Sequence, residues 1–180
     1  MTGVRCLGLA RSGRALLALL ITGLVPLASP QGGELAAERP QVQLNAGVVG
    51  LLNRASNSWR YGGEYRFSPL GPWRLRPALG AVVAENDARY YFVGLRRDFP
   101  LSGRWVLTPG FDITSYDEGR GIDLGSELEF RSGLELSHPV HRNWRLGIGV
   151  YHLSNGGFGD RNPGTNSLVG SLVIPVGGIY

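Results

Sequence analysis

Lysine is absent from this 180-residue chain, cysteine occurs once, and no apolar segment is long enough to cross a membrane as a helix. The single cysteine, Cys6, excludes an intramolecular disulfide. Apolar residues make up 43% of the chain and charged residues only 18%, which excludes a disordered protein. All 18 basic side chains are arginine, and they do not follow one stripe, so the sequence predicts no nucleic-acid partner.

The first residues have the composition of a secretory signal. Three arginines precede an apolar run over residues 15–27, which is too short for a membrane-spanning helix. Ala28 and Ala37 are both candidate cleavage sites. The run has no polar face, which disfavours the alternative of a buried N-terminal helix. We therefore predict a signal peptide over residues 1–37.

After this segment, hydrophobicity repeats with a period of two. In residues 59–67 the aromatic side chains share one face and the charged side chains share the other, as in a β-strand with one apolar and one polar side. The same alternation recurs along the chain and predicts eight strands, with no helix beyond the signal. The apolar rows of these strands begin at Val42, Trp59, Trp73, Tyr91, Trp105, Leu124, Trp144 and Leu168.

The connectors between these strands are of two kinds. Those after the second, fourth and sixth strands are tight and contain proline, at residues 68–72, 98–103 and 138–143. The others are more polar. Aromatic residues flank the tight connectors and predict a girdle at one membrane interface, formed by Phe67, Trp73, Phe99, Trp105, Trp144 and Tyr180.

The polar face of the predicted strands carries charges of both signs. Its members include Arg60, Glu64, Arg66, Arg74, Arg76, Arg104, Asp112, Glu127, Glu129 and Arg145. Such charges can pair in a narrow lumen, whereas a soluble, lipocalin-like barrel with its apolar face inward is the alternative. The charges on the polar face and the aromatics at the rims favour a membrane barrel over this alternative. Because only a closed barrel satisfies strand backbones in lipid, we predict a closed transmembrane barrel. The expected fold is all-β: an eight-stranded antiparallel transmembrane β-barrel of the bacterial outer membrane, forming a single domain over residues 38–180.

The chain ends on an aromatic residue directly after an alternating strand. Tyr180 follows an apolar row made of Leu172, Ile174 and Val176. This ending resembles the assembly signal of bacterial outer-membrane barrels. The resemblance implies the barrel-assembly machinery as a partner.

The seventh predicted strand carries polar groups on its apolar face. Its outward row runs from Trp144 to Val150, and two further steps reach His152 and Ser154. On the eighth strand the outward row extends back to Asn166, which antiparallel pairing places beside His152. A hydroxyl and an imidazole within hydrogen-bond reach form an activated nucleophile, and a third group orients the ring.

A purely structural explanation exists for the same residues. A polar side chain that faces lipid is costly unless it is satisfied or used, but His152 can also lie at the interface above the hydrocarbon. Ser154 and the two residues after it then open a loop, and residues 162–164 form an ordinary turn signal. Spacing alone leaves both explanations open.

A family resemblance bears on this choice. Residues 151–157, Tyr-His-Leu-Ser-Asn-Gly-Gly, followed by residues 162–167, Asn-Pro-Gly-Thr-Asn-Ser, resemble the lipid A deacylase (PagL) family of acyloxyacyl hydrolases. Members of this family are outer-membrane barrels that hydrolyse the ester-linked 3-position acyl chain of lipid A, at a site facing the outer leaflet. The resemblance implies that Ser154 is the nucleophile and His152 the general base.

The resemblance also suggests roles for residues around this pair. It implies Asn155 and the backbone N–H of Gly156 as oxyanion donors. Asn166 stands where the best-known members carry glutamate; an amide orients the imidazole but does not stabilise its positive charge, so we expect a weaker enzyme. Arg54 and Arg161, in loops at the same end, are predicted to contact the phosphates of lipid A.

The expected partner is lipid A, or lipopolysaccharide, in the outer leaflet. The sequence predicts no cofactor and no metal, because it has no phosphate-binding glycine loop, and His138 and His141 straddle a turn without further ligands. Two other functions remain open. One is a non-catalytic structural or adhesive outer-membrane barrel with a vestigial motif, and the other is a soluble lipid-binding barrel.

Overall fold

The computed structural model describes residues 38–51, 57–141 and 143–177. The predicted signal peptide, Arg54 and Tyr180 lie outside the described residues, so the expectations about them stay predictions. Within the described ranges, no helix has the length and hydropathy needed to cross a membrane.

Eight long strands make up most of the described chain. They are β1 (Gln41–Val49), β2 (Ser58–Arg66), β3 (Arg76–Ala84), β4 (Arg89–Arg96), β5 (Val106–Asp117), β6 (Leu128–His141), β7 (Trp144–Ser154) and β8 (Thr165–Pro175). A two-residue strand, Phe99–Pro100, pairs with the start of β5, and a 3-10 turn, Ser102–Arg104, follows it. The strands coincide with the segments of alternating polarity, because successive side chains of a strand point to opposite faces.

Antiparallel pairing closes these strands into a barrel. The order around the barrel is β4, β3, β2, β1, β8, β7, β6, β5, and β4 also pairs with β5. The first and last strands meet in register from Gln41 with Pro175 to Val49 with Ser167. Closure gives the edge strands partners, as a lipid environment requires. The prediction of an eight-stranded antiparallel barrel is confirmed.

The two faces of the sheet are sorted as the alternation predicts. Large apolar side chains on the outer face stay exposed on all eight strands: Leu44, Tyr61, Leu79, Val93, Ile113, Leu134, Ile148 and Leu168. Polar side chains on the inner face are buried, among them Gln43, Glu64, Arg76, Arg96, Asp112, Glu135 and Ser171. This arrangement is the reverse of a lipocalin-like barrel, so the soluble alternative is wrong for the described strands.

Charged side chains fill the middle of the lumen and pair with one another. Glu64 accepts hydrogen bonds from Arg66 Nε and Arg96 Nη2, both at 2.7 Å. Arg131 Nη2 donates to Glu64 at 3.3 Å, and Arg131 Nε donates to Asp112 at 2.7 Å. All five side chains are at most 3% exposed. Because burying a charge is costly unless it is paired, this network stabilises the charged side chains that alternate with the apolar rows.

An apolar cluster lies above this network, toward the end of the barrel that carries residues 155–164. We call this end the loop end and the opposite end the turn end. The cluster consists of Val82, Tyr90, Phe92, Tyr116, Leu124 and Leu153. Leu124 was predicted to begin the sixth strand, but it lies in the preceding loop and is 1% exposed. It therefore fills the lumen from a loop instead of joining an outward row.

Three charges that were predicted to face the lumen lie outside it. Arg74 and Arg104 sit in turns with positive φ, at 51° and 66°, and both are exposed. Positive φ reverses the chain and breaks the alternation, so β3 begins at Arg76 and not at Trp73. Glu127 is exposed in the loop before β6. These three predictions were wrong because the alternating pattern was extended through turns.

Exposed aromatic side chains lie near both ends of the barrel. Of the six aromatics predicted at the turn end, four are exposed there: Phe67, Trp73, Trp105 and Trp144. Phe99 is half-buried, and Tyr180 lies outside the described residues. Trp59 and Tyr91 belong to a second group at the loop end, which the sequence did not predict as a group. Two such belts, one near each rim, are typical of barrels that cross a bilayer.

Candidate active site

The polar residues of interest lie on the outer face of β7. The burial pattern alternates along the end of this strand: Tyr151 and Leu153 are buried, His152 is exposed and Ser154 is half-buried. His152 and Ser154 therefore share the outer face. Residues two apart on a strand have Cα atoms roughly 7 Å apart, a distance that a serine and a histidine side chain can span together.

The neighbouring strand supplies a partner for the imidazole. His152 and Asn166 are directly opposite in the antiparallel register of β7 and β8. His152 Nδ1 lies 3.0 Å from Asn166 Oδ1. Because an amide oxygen only accepts hydrogen bonds, Nδ1 carries the proton in this pair. The lone pair of the ring is then on Nε2, the nitrogen that can act as a base.

The loop between β7 and β8 packs against the same ring. Gly164 has a φ of +61°, and a Cβ built on it would lie 2.9 Å from His152 Cε1 and 3.4 Å from Nε2. A side chain at Gly164 would thus press on the imidazole. The loop and Asn166 together restrict the position of the ring.

The contacts of Ser154 are less complete than those of His152. Among the described residues, no hydrogen bond joins the Ser154 hydroxyl to the imidazole, although both groups lie on one face. Catalytic hydrogen bonds are often long in the absence of substrate and shorten when the substrate binds. The structure brings His152 and Asn166 into contact and places Ser154 beside them on the same face.

Asn155 has a different place from the one that an oxyanion donor needs. The alternation turns it inward, and it is fully buried. Its Nδ2 donates to Leu124 O at 2.8 Å and to Arg161 O at 2.7 Å, and its Oδ1 accepts from Gly157 N at 2.8 Å. Both amide protons are therefore used inside the loop. The side chain organises the loop, and it has no donor left for an outer substrate.

Two other groups beside Ser154 retain free donors. In the described part of the chain, no acceptor bonds the backbone N–H of Gly156, which has a φ of +66°. Asn162 Oδ1 accepts a hydrogen bond from Asn155 N at 3.2 Å, which holds this amide next to the residue that follows Ser154. The NH₂ group of Asn162 is exposed and forms no hydrogen bond with any described residue. Sequence reasoning took Asn162 only as a turn residue.

The two arginines predicted to contact phosphate are Arg161 and Arg54. Arg161 is exposed in the loop after β7 and forms an ion pair with Asp123. Arg54 lies outside the described residues. The predicted roles of both residues are untested.

Three phenylalanine rings form a row beside the site. Phe130 is the register partner of Ser154, its ring centre lies 6.0 Å from that of Phe111, and the pair is stacked. The Phe158 ring centre is 5.9 Å from that of Phe130, and Phe158 is 80% exposed. A Cβ on Gly156 would lie 3.5 Å from both the Phe130 and the Phe158 rings. We call Phe111, Phe130 and Phe158 the aromatic row; it leads from the outer wall to the nucleophile candidate.

Within the described ranges, no three histidine, cysteine or acidic side chains come together as metal ligands would. His138, at the turn end, packs against Trp105 with ring centres 4.9 Å apart, and its Nε2 lies 3.2 Å from Gly103 O. The contacts of His138 are those of a residue that fixes a turn.

A family model matches most of the chain. The model of the lipid A 3-O-deacylase (PagL) family covers residues 39–175, which include β1 to β8 and the His152, Ser154 and Asn166 positions. No curated protein matches the chain.

Solved structures similar to this barrel include an enzyme and two other membrane barrels. The crystal structure of the outer membrane enzyme PagL has a TM-score of 0.59 and 18% identity, over 76% of this chain and 99% of that one. A de novo designed transmembrane β-barrel has a TM-score of 0.55 and 12% identity, over 76% and 96% of the two chains. Neisserial surface protein A has a TM-score of 0.53 and 16% identity, over 76% and 97%. At these identities the similarities establish the fold.

Proposed function

The chain belongs to the lipid A 3-O-deacylase (PagL) family, and we propose that it hydrolyses the ester-linked 3-position acyl chain of lipid A through Ser154, His152 and Asn166. The observation that carries the proposal is the 3.0 Å contact between His152 Nδ1 and Asn166 Oδ1 on the outer face of an outer-membrane barrel, with Ser154 on the same face. Polar groups facing lipid are costly, and catalysis gives these three a use there.

The proposed reaction is acyl transfer to serine followed by hydrolysis. His152 Nε2 removes the proton from the Ser154 hydroxyl as its oxygen attacks the ester carbonyl. The alkoxide of the sugar leaves with a proton from the imidazolium, and the acyl chain stays on Ser154 as an ester. Water, activated by the same Nε2, then releases the fatty acid and regenerates the hydroxyl. Asn166 holds the ring and its tautomer throughout, without adding negative charge.

The oxyanion of the tetrahedral intermediate needs donors beside Ser154. We assign this role to the backbone N–H of Gly156 and the NH₂ group of Asn162, the two groups that have no other acceptor among the described residues. Asn155 takes the role of a positioning residue, since its buried amide ties this loop to Leu124 and Arg161. Preorganised donors of this kind contribute roughly 3–4 kcal/mol each to lowering the barrier.

The acyl chain of the substrate fits along the aromatic row. Phe130 lies opposite Ser154, and Phe111 and Phe158 extend the row. A chain whose ester is held at Ser154 can cover these rings without leaving the leaflet. Burying apolar surface contributes about 25 cal/mol per Å², so an exposed ring such as Phe158 adds to substrate binding.

The charged and polar ends of lipid A then lie above the site. Arg161, exposed beside the β7–β8 loop, is placed to bind a phosphate once it leaves Asp123, and Arg54 is proposed for the same task. This arrangement requires the loop end to face the cell exterior and the proline-containing turns to face the periplasm. Assembly by the barrel-assembly machinery would give this orientation.

The proposal is tested by the lipid A of cells that express the full chain. Mass spectrometry of lipid A should show loss of one ester-linked hydroxyacyl chain with the natural protein and full retention of that chain with Ser154→Ala. Ser58→Ala, at the loop end of β2, is the matched control and should deacylate normally. Heat-modifiable gel mobility checks that each variant is a folded barrel. Full deacylation by Ser154→Ala would show that this site is not the catalyst.

A further inference from the structure

A cavity of about 30 Å³ lies inside the barrel at the loop end. Its wall includes Tyr151 and Leu153 of β7 and Thr165 and Ser167 of β8. These residues alternate with His152 and Asn166, so the cavity is directly behind the hairpin that carries the candidate site. By volume it can hold one or two occupants the size of a water molecule.

An arginine without a counter-charge lines this cavity. Arg60 is 1% exposed, and its Nε and Nη1 have no hydrogen-bond partner among the described residues. Its Nη2 donates to the neutral Asn45 Oδ1 at 3.3 Å. The guanidinium carbon lies 5.6 Å and 5.8 Å from the ring centres of Tyr90 and Tyr151, which are uncharged neighbours. A buried guanidinium in such surroundings is costly unless an anion compensates its charge.

The other charged groups of the lumen do not compensate Arg60. Arg131 lines the same cavity, but its guanidinium is paired with Glu64 and Asp112. No carboxylate belongs to the described wall of the cavity. Glu129 is also buried, but its carboxylate oxygens make no hydrogen bond within the described part of the chain and it is not part of the wall. The cavity therefore has a net positive lining.

A second free donor lies in the same wall. The Thr165 hydroxyl is buried and has no partner in the described part of the chain. A buried guanidinium N–H group and a hydroxyl are donors that bind a small anion. A volume of about 30 Å³ suits a monatomic anion better than a sulfate or a phosphate ester.

We propose that a small monovalent anion, chloride, binds Arg60 in this cavity and stabilises the inner side of the β7–β8 hairpin. The proposal stands on the cavity and its donors, and it does not depend on the chemistry assigned to Ser154.

The first experiment measures the unfolding temperature of the full barrel in detergent, in sodium chloride and in sodium gluconate at equal ionic strength. Chloride should raise the unfolding temperature by a few degrees, because a ligand that binds only the folded state stabilises it. Arg60→Gln should remove the difference between the two salts. Arg120→Gln, an exposed arginine at the same end, is the matched control and should keep it. Equal temperatures in both salts for the natural chain, or an undiminished difference in Arg60→Gln, would overturn the proposal.

The second experiment does not require a variant that folds. Crystals of the natural chain soaked in sodium bromide should show an anomalous scattering peak beside the Arg60 guanidinium. Water alone at this position, without a bromide peak, would overturn the proposal.

Discussion

The lumen and the outer face of the β7–β8 hairpin hold polar groups under opposite conditions. In the middle of the lumen, Glu64 meets three guanidiniums and Asp112 meets two. On the outer face, the imidazole of His152 has one hydrogen-bond partner among the described residues, the neutral Asn166 at 3.0 Å. Charges that satisfy one another completely are suited to holding a barrel together, whereas a sparsely partnered imidazole beside a hydroxyl is suited to reacting.

The contrast indicates that the stability of this barrel depends on its inner face and that its proposed function depends on its outer face. The inner network is buried, densely paired and inaccessible to a lipid. The groups on the outer face of the hairpin are exposed or half-buried and make few contacts that folding needs. Variants of the two regions should therefore fail in different ways.

The largest effect on stability is expected from Glu64→Gln. Removing this charge leaves Arg66, Arg96 and Arg131 short of a buried partner, which should lower the free energy of unfolding by about 3–5 kcal/mol. A urea titration followed by heat-modifiable gel mobility measures it. The control Glu127→Gln, in an exposed loop, should change the free energy of unfolding by less than about 0.5 kcal/mol. If the two variants were equally stable, the lumen network would not be the main support of the barrel.

Substitution of Asn166 should change the rate and leave the barrel intact. Asn166→Ala removes the acceptor for His152 Nδ1–H and should lower kcat/KM roughly 10- to 100-fold, or about 1.4–2.8 kcal/mol. Asn166→Glu supplies a carboxylate that stabilises the imidazolium and should raise kcat at least tenfold over the natural chain, or about 1.4 kcal/mol. Deacylation of purified lipid A in detergent measures both values. An unchanged rate in Asn166→Ala would mean that this amide does not orient the base.

The smallest effect is expected at the aromatic row. Phe158→Ala should raise KM for lipid A roughly three- to tenfold, about 1 kcal/mol, with kcat nearly unchanged, because the ring binds the acyl chain equally in the ground and transition states. Phe67→Ala, an exposed aromatic at the turn end, is the control and should leave KM unaltered. A loss of kcat without a change in KM would place Phe158 in the reaction and not in chain binding.

The sequence allowed the strands and their faces to be predicted because one physical rule governs both. Alternation assigned the outward rows, and it carried His152 and Asn166 to opposing positions across a hairpin. The same alternation predicts that Asn155 points inward, and the residue is buried in the structure. Its place in the alternation therefore argues against an outward-facing oxyanion donor. The oxyanion role predicted for Asn155 came from the family resemblance and not from the alternation.

Other features of the site were not accessible from periodicity. The roles of Leu124 and Asn162 depend on loop paths, and a period of two says nothing about where a loop returns. Arg74 and Arg104 were misplaced because their positive φ breaks the pattern within a turn. Prediction from the sequence therefore succeeded where the backbone is extended and failed where it turns.

The central claim is that Ser154 is the nucleophile, activated by His152 on the outer face. The most direct measurement is labelling of the folded barrel with a lipophilic fluorophosphonate, which reacts covalently with activated serines, followed by mass spectrometry of the peptides. The account predicts a single adduct on Ser154, which is lost in His152→Ala while the barrel remains folded. An adduct on another serine, or labelling of Ser154 that does not depend on His152, would contradict it.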